Sequence, residues 1–275
     1  MLLAALLLTA CTSSAPTDSP PAPTTTTVTA APVTEAPTTS TAPEAPPAGL
    51  GSLAGKVIVI DPGHNEGNSR HPEEVNKEVD VITRTRTCDT SGAATNDGYP
   101  EPRFTLDLSQ RVRALLEAAG ATVILTREET TPWGPCIPER AAIGNRANAD
   151  AAISIHADGG PASGHGFHVI EPRVVPGHNE AIIDPSHRLA LHVRGAYRDA
   201  TGIPYADYIA RDGLDSRDDL GGLNLSSVPK VFIECANMRS AIDAALIIDE
   251  SSRDAMAAGI AHGLEQFVLG APLPS

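Results

Sequence analysis

From residue 56 to residue 268 the chain alternates short, continuous apolar runs with stretches of helical periodicity. That alternation restricts it to a few layered architectures. Val57-Ile58-Val59-Ile60 reads as a strand buried on both faces, because a strand with one wet face would alternate apolar and polar residues. Asp61-Pro62-Gly63 ends it. After a long polar stretch to Tyr99, the residues Pro102, Phe104, Leu108, Val112, Leu115, Leu116 and Ala119 recur at helical spacing, with Gly120 as the stop. Further strands are expected over 121–126, 151–155, 166–170 and 231–233, and further helices over 138–149, 189–197 and 253–268. The expectation is one α/β domain: a mostly parallel or mixed central sheet with helices on both faces, and no repeats or separate binding module.

The first fifty residues do not share this pattern. Residues 2–8 are apolar, and Leu8-Thr9-Ala10 precede Cys11. The run is too short to span a bilayer. It resembles the end of a lipoprotein signal, whose Cys becomes lipidated, although the usual positive n-region is missing. Residues 12–50 are almost wholly Thr, Pro, Ala and Ser, and hold nine of the chain's 24 prolines. Such a segment buries too little apolar surface to offset its ordering entropy. The expected organisation is a signal-type segment over 1–11, a disordered spacer over 12–50 and a catalytic domain over 51–275. The protein is expected to be exported to the cell envelope and held through Cys11 on the outer face of the cytoplasmic membrane.

Charge excludes some partners. The chain carries −14, and its first fifty residues hold three acids and no base, leaving −11 for the rest. An acidic domain repels a phosphate backbone, so no nucleic-acid partner is expected, and any membrane attachment must be covalent or hydrophobic. A monomer is expected.

In open α/β sheets, ligands bind beyond the carboxyl ends of the strands. His64 follows the first strand, His156 ends the third, and Glu234 directly continues the late run Val231-Phe232-Ile233. Glu101 opens the first long helix on the same stripe as Phe104 and Leu108, and so faces the sheet. Two imidazoles and one carboxylate form the ligand set of many catalytic zinc sites, with a fourth position left for water. A further carboxylate then serves as general base, and Glu234 is placed for it. Each residue alone has an ordinary reading: a loop histidine, or a first-turn charge in the case of Glu101. Glu234 is the hardest to explain so, since a carboxylate prolonging a buried strand is costly unless paired or functional.

The segments VIVIDPGHN, GYPEPRFTLDLSQRVRALLEAAG, ERAAIGNRANADAAISIHADGGP and DLGGLNLSSVPKVFIECANM, with the final helix, resemble the zinc-dependent N-acetylmuramoyl-L-alanine amidases. The chain looks especially like the short mycobacterial and actinobacterial members. The resemblance covers residues 55–269. It implies His64, Glu101 and His156 as ligands of one zinc ion and Glu234 as catalytic base. It also implies hydrolysis of the amide between N-acetylmuramic acid and L-alanine of peptidoglycan. The chain departs from the commoner pattern at Asn65, where Gly is usual, and at Cys235 after the late Glu; residues 65–98 are long and charged beside the shortest relatives. Asn65 and the Asp158-Gly159-Gly160 turn are expected to line the cleft.

Cys88 and Cys136 lie in loops flanking the first helix–strand unit, and the resemblance implies a matching disulfide. It would close a loop of about fifty residues, with a chain-entropy gain of about 4 kcal/mol. Cys235 is then a buried free thiol. His165 and His168, three apart on an expected strand, point to opposite faces and make no second metal site. His71, His178, His187, His192 and His262 are read as surface residues. The competing functions are a zinc peptidase acting within the stem peptide and a non-catalytic lipoprotein that binds wall fragments. All four site positions are filled, which argues against a dead domain, and no G-x-S-x-G elbow supports serine chemistry.

Overall fold

The structure is a computed structural model that describes residues 49–274. The signal-type segment with Cys11, and all of the spacer but its last two residues, lie outside the described residues.

The chain runs through β1 (Val57–Pro62), α1 (Pro72–Val75), β2 (Glu78–Asp80), β3 (Thr85–Thr87), α2 (Glu101–Ala118), β4 (Thr122–Leu125), α3 (Ile137–Arg146), β5 (Ala151–Asp158), β6 (His168–Pro172), α4 (Ile183–Thr201), β7 (Leu214–Arg217), α5 (Gly221–Asn224), β8 (Lys230–Asn237), α6 (Ala241–Ile248) and α7 (Glu250–Val268). Six strands form one sheet in the order β4-β1-β5-β8-β6-β7. The first four are mutually parallel, β6 runs antiparallel to β8, and β7 is parallel to β6. The sheet is thus mixed and mostly parallel, as the apolar runs imply.

Side chains alternate across this sheet. Ile58, Ile60, Ile153, Ile155, Val231 and Ile233 face the main core, where α2, α4 and α7 supply Phe104, Leu108, Val112, Leu116, Leu189, Val193, Met256, Ile260 and Leu264. The i, i+4 spacing of Phe104, Leu108, Val112 and Leu116 keeps one stripe of α2 on the sheet. Val59 and Ala152 face the other way, into a smaller cluster with Ala149 and Val228. Towards the strand ends this second face becomes polar, and it carries Asp61, Ser154, His156 and Glu234. Apolar packing on one face therefore leaves the other free for chemistry.

The differences from expectation have local causes. The edge strand β7 reads Leu-Asp-Ser-Arg, too short and polar to register as an apolar run. The hairpin β2–β3 lies within a charged stretch and forms its own two-stranded sheet. β6 starts at His168 because Gly166 has a φ of 105° and its N–H donates to Asp243 Oδ2 instead of to a strand. His192 corrects the surface reading: it is 3 % exposed, on the buried stripe of α4 with Leu189 and Val193, and contacts Gln266 of α7.

Candidate metal centre

His64, just beyond β1, has a φ of 56°. A left-handed histidine is strained by about 1–3 kcal/mol and persists only where its surroundings hold it. Here Arg140 Nη2 donates to the His64 carbonyl at 3.0 Å. The ring is held through Nδ1, which lies 3.1 Å from the Thr90 carbonyl oxygen, 3.0 Å from Thr90 Oγ1 and 3.4 Å from Asp89 Oδ1. That leaves Nε2 facing Glu101 Oε2 at 3.4 Å.

Glu101 is the first residue of α2, followed by Pro102, which suits a first helical turn. It is buried, yet both oxygens are engaged. Oε2 accepts from the Ala93 N–H at 2.7 Å; Oε1 accepts from the Ala157 N–H at 3.2 Å and lies 3.0 Å from His156 Nδ1. His156, on β5, stacks on Phe232 of β8 at 5.3 Å and meets the His64 ring edge-on at 4.9 Å.

Two glycines make room for this convergence. A Cβ at Gly63 would sit 2.4 Å from His156 Cε1. A Cβ at Gly92, whose φ of 77° itself favours glycine, would sit 2.8 Å from both Glu101 Oε2 and His64 Cδ2.

One ligand atom from each of His64, Glu101 and His156 lies within 4.8 Å of the others, the one such His/Cys/Asp/Glu group among the described residues. The electrostatics suit a cation there. Burial presses the His64 imidazole towards neutrality, but the Glu101 and Asp89 carboxylates outweigh it and raise its pKa to about 10. Burial alone would raise Glu101, yet the two imidazoles hold it well below the usual carboxylate range. The cage concentrates negative charge around a point that a proton or a cation must neutralise. Two imidazole nitrogens and a carboxylate oxygen, with Nδ1 of one ring anchored by a carbonyl and a carboxylate, match the donor chemistry and supporting shell of a zinc site.

Glu234 is the register partner of His156 across β5 and β8. Its Oε2 is buried without a hydrogen-bond partner. Burial, with the Glu101 and Asp158 carboxylates, pushes it well above the usual carboxylate range.

A buried ionic network that the sequence did not announce supports the cage. Asp61 receives Thr126 Oγ1 and Ser154 Oγ at 2.6 Å each, Arg140 at 2.8 Å and Lys230 at 3.4 Å. Burial would raise its pKa, but Lys230, Arg140 and the two hydroxyls hold it well below the usual range. Arg140 also donates to Asp89 and to the carbonyls of Pro62, Gly134 and Pro135, and so ties β1 to the loop that anchors His64. The pattern that could have revealed it is Lys230 placed directly before an apolar strand.

Cys88 and Cys136 form a disulfide with Cα atoms 4.4 Å apart, one residue from Asp89 and at the start of α3. Cys235 is a buried free thiol, on the core-facing side opposite Glu234. A cleft of roughly 220 Å³ opens onto His64 and His156, walled by Phe232, Ile137, Leu220 and, from the hairpin, Arg86 and Thr87. Part of the 65–98 stretch thus borders the cleft. Asn65 does not line it: its side chain accepts from the Gly67 N–H and donates to the Thr131 and Gly134 carbonyls. The Asp158-Gly159-Gly160 turn is also absent from the cleft wall.

An α/β sheet that gathers two imidazoles and a carboxylate at its strand ends, with another acid on the adjacent strand, has the layout of a metal-dependent hydrolase. The chain belongs to the N-acetylmuramoyl-L-alanine amidase family, whose pattern matches residues 58–266. It is 40 % identical over 218 residues to an N-acetylmuramoyl-L-alanine amidase of Mycobacterium tuberculosis, covering 79 % of this chain and 88 % of that one. The crystal structure of the amidase Ami1 from Mycobacterium smegmatis superposes with a TM-score of 0.75 at 40 % identity, covering 80 % of this chain and 99 % of that one. The apo Ami1 of Mycobacterium abscessus gives 0.73 at 40 % identity, covering 78 % and 99 %.

Proposed function

We propose that this amidase uses one zinc ion held by His64, Glu101 and His156, with Glu234 as general base. It cleaves the bond between the lactyl group of N-acetylmuramic acid and L-alanine of the stem peptide. The observation that carries the reading is the approach of the three donor atoms to within 4.8 Å of one another, with Glu234 in register beside His156. When bound, the cation supplies Lewis-acid polarisation of the scissile carbonyl and a lowered pKa for water.

The chain's own residues do the rest. Asp89 and Thr90 orient the His64 ring, and the Ala93 and Ala157 N–H groups fix the Glu101 carboxylate. Glu234 takes the proton from the attacking water and delivers one to the departing L-alanine nitrogen. Its burial, with the Glu101 and Asp158 carboxylates, favours the protonated form, and His64 and Arg217 pull the other way. Phe232 and Ile137 give the cleft apolar walls that limit water around the reacting centre.

The protein acts in the cell envelope, held to the outer face of the cytoplasmic membrane through a lipidated Cys11, with residues 12–50 as spacer. No described helix is long and apolar enough to cross a membrane.

Digestion of purified peptidoglycan, with the released ends identified by mass, tests the activity. Free stem peptides beginning at L-alanine are expected from the parent and none from Glu234→Ala. Cuts within the stem peptide, or an undiminished Glu234→Ala protein, would overturn it.

A further inference from the structure

Arg127 lies just past the end of β4 and is 4 % exposed. All four of its hydrogen bonds go to neutral oxygens. Its Nε donates to the Pro62 carbonyl at 3.0 Å. Its Nη2 donates to the Gly63 carbonyl at 3.1 Å, the Pro102 carbonyl at 2.7 Å and Thr105 Oγ1 at 3.1 Å. Burial, with the nearby Arg140 charge, pulls its pKa down to about 10, so it is still a cation at neutral pH. A buried guanidinium bonded to no carboxylate is costly, and what it holds must repay that.

What it holds is informative. Gly63 is the residue before His64, and Pro102 is the residue after Glu101. One nitrogen therefore joins the backbones next to two of the three cage residues, which come from separate elements. Thr105 Oγ1 repeats the link from α2, donating to the Gly63 carbonyl at 2.8 Å and lying 3.3 Å from that of Pro102. Another polar tie between these segments is the Arg103–Glu66 ion pair, which is largely exposed and so contributes little. A binding constellation needs its groups held to within about 0.5 Å, and apolar packing of α2 on the sheet alone does not fix a helix start that closely.

We propose that Arg127 is a positioning residue of the metal centre: by drawing the Gly63 and Pro102 carbonyls onto one guanidinium it sets the spacing of His64 and Glu101, and with it zinc affinity. This rests on His64 and Glu101 being zinc ligands. Arg127 touches neither side chain and acts only through the backbone beside them. Lysine would not replace it, because one ammonium lacks the planar fork that reaches these oxygens together.

The test compares the parent with Arg127→Ala. Zinc affinity is read by chelator competition, folding of the metal-free protein by circular dichroism, and the arrangement of the ligands by the visible spectrum of the cobalt(II)-substituted protein. Arg127→Ala is expected to fold, to bind zinc about tenfold or more weakly and to give an altered cobalt band. Added methylguanidinium should restore both, and methylammonium should restore neither. Parent-like zinc affinity and cobalt band in Arg127→Ala, or no recovery with methylguanidinium, would overturn the proposal. If metal-free Arg127→Ala is unfolded, hydrogen exchange at the parent's Arg127 Nε decides. Coupling between two sites is reciprocal, so zinc should slow that exchange by a larger factor than it slows the core amides. An equal or smaller effect refutes the link. A parent that binds no zinc would remove the ligand assignment itself, whereas a zinc-binding parent with an unaffected Arg127→Ala removes only the role of Arg127.

Discussion

At the scale of single residues, the site is a set of side chains held where they would not otherwise rest. His64 keeps a left-handed backbone because Arg140 grips its carbonyl while Asp89 and Thr90 grip its ring. Removing the carboxylate charge in Asp89→Asn should weaken zinc binding by about 10–100-fold, measured by chelator competition, with little change in the far-ultraviolet spectrum. Asp61 makes a different contribution. Its pKa is lowered in the folded state, so its stabilisation is complete above the ordinary value of 3.8 and is lost as pH falls through the lower folded value. Asp61→Asn strands Lys230 and leaves Arg140 with Asp89 as its one carboxylate, and is expected to cost about 3–5 kcal/mol at pH 7 in urea titrations. The difference between the two proteins should shrink as pH drops below 3.8. The candidate residues were legible through their combination: His64, Glu101 and His156 each have an ordinary reading alone, but with Glu234 they put four chemistry-bearing groups near the same ends of the central strands. His168 and His192 were less legible. The sequence placed both on elements but could not show that His168 pairs with Glu234. For His192 a signal existed, since it follows Leu189 by three residues on the helical stripe.

At the scale of elements, the cage depends on how closely β1, β5 and the start of α2 approach. Gly63 lets the end of β1 pass against the His156 ring. Gly63→Ala should displace that ring, so a marked loss of zinc from a still-folded protein is expected by elemental analysis and circular dichroism. The Cys88–Cys136 disulfide acts on the same region from the other side, because it joins the residue before Asp89 to the start of α3, the helix that carries Arg140. The Cys88→Ser, Cys136→Ser double variant should lose about 4 kcal/mol of stability in denaturant titration. Central strands were readable because burial on both faces keeps most of each run apolar, with Ser154 the exception in β5. Edge strand β7 and hairpin β2–β3 were not, since a strand packed on one side or on another loop keeps its charges.

At the scale of the molecule, one sheet divides the labour: its main core face holds the fold together with α2, α4 and α7, and its opposite face carries the acids, imidazoles and cleft. The fold class followed from alternation alone, whereas the wall of the cleft did not, because Arg86, Ile137 and Leu220 come from segments far apart in sequence. If the spacer only tethers, residues 51–275 alone should match the full chain in kcat/KM on soluble muropeptides, and a fragment slower by tenfold would give the first fifty residues a catalytic part.

The assignment stands or falls on whether His64, Glu101 and His156 hold a single divalent ion. Zinc stoichiometry by elemental analysis measures this most directly across the parent, the three single alanine variants at those positions, and Glu234→Ala. One zinc per chain is predicted for the parent and for Glu234→Ala, and a near-complete loss for the other three. A parent that binds no zinc, or an ion retained after His64→Ala or His156→Ala, would contradict it.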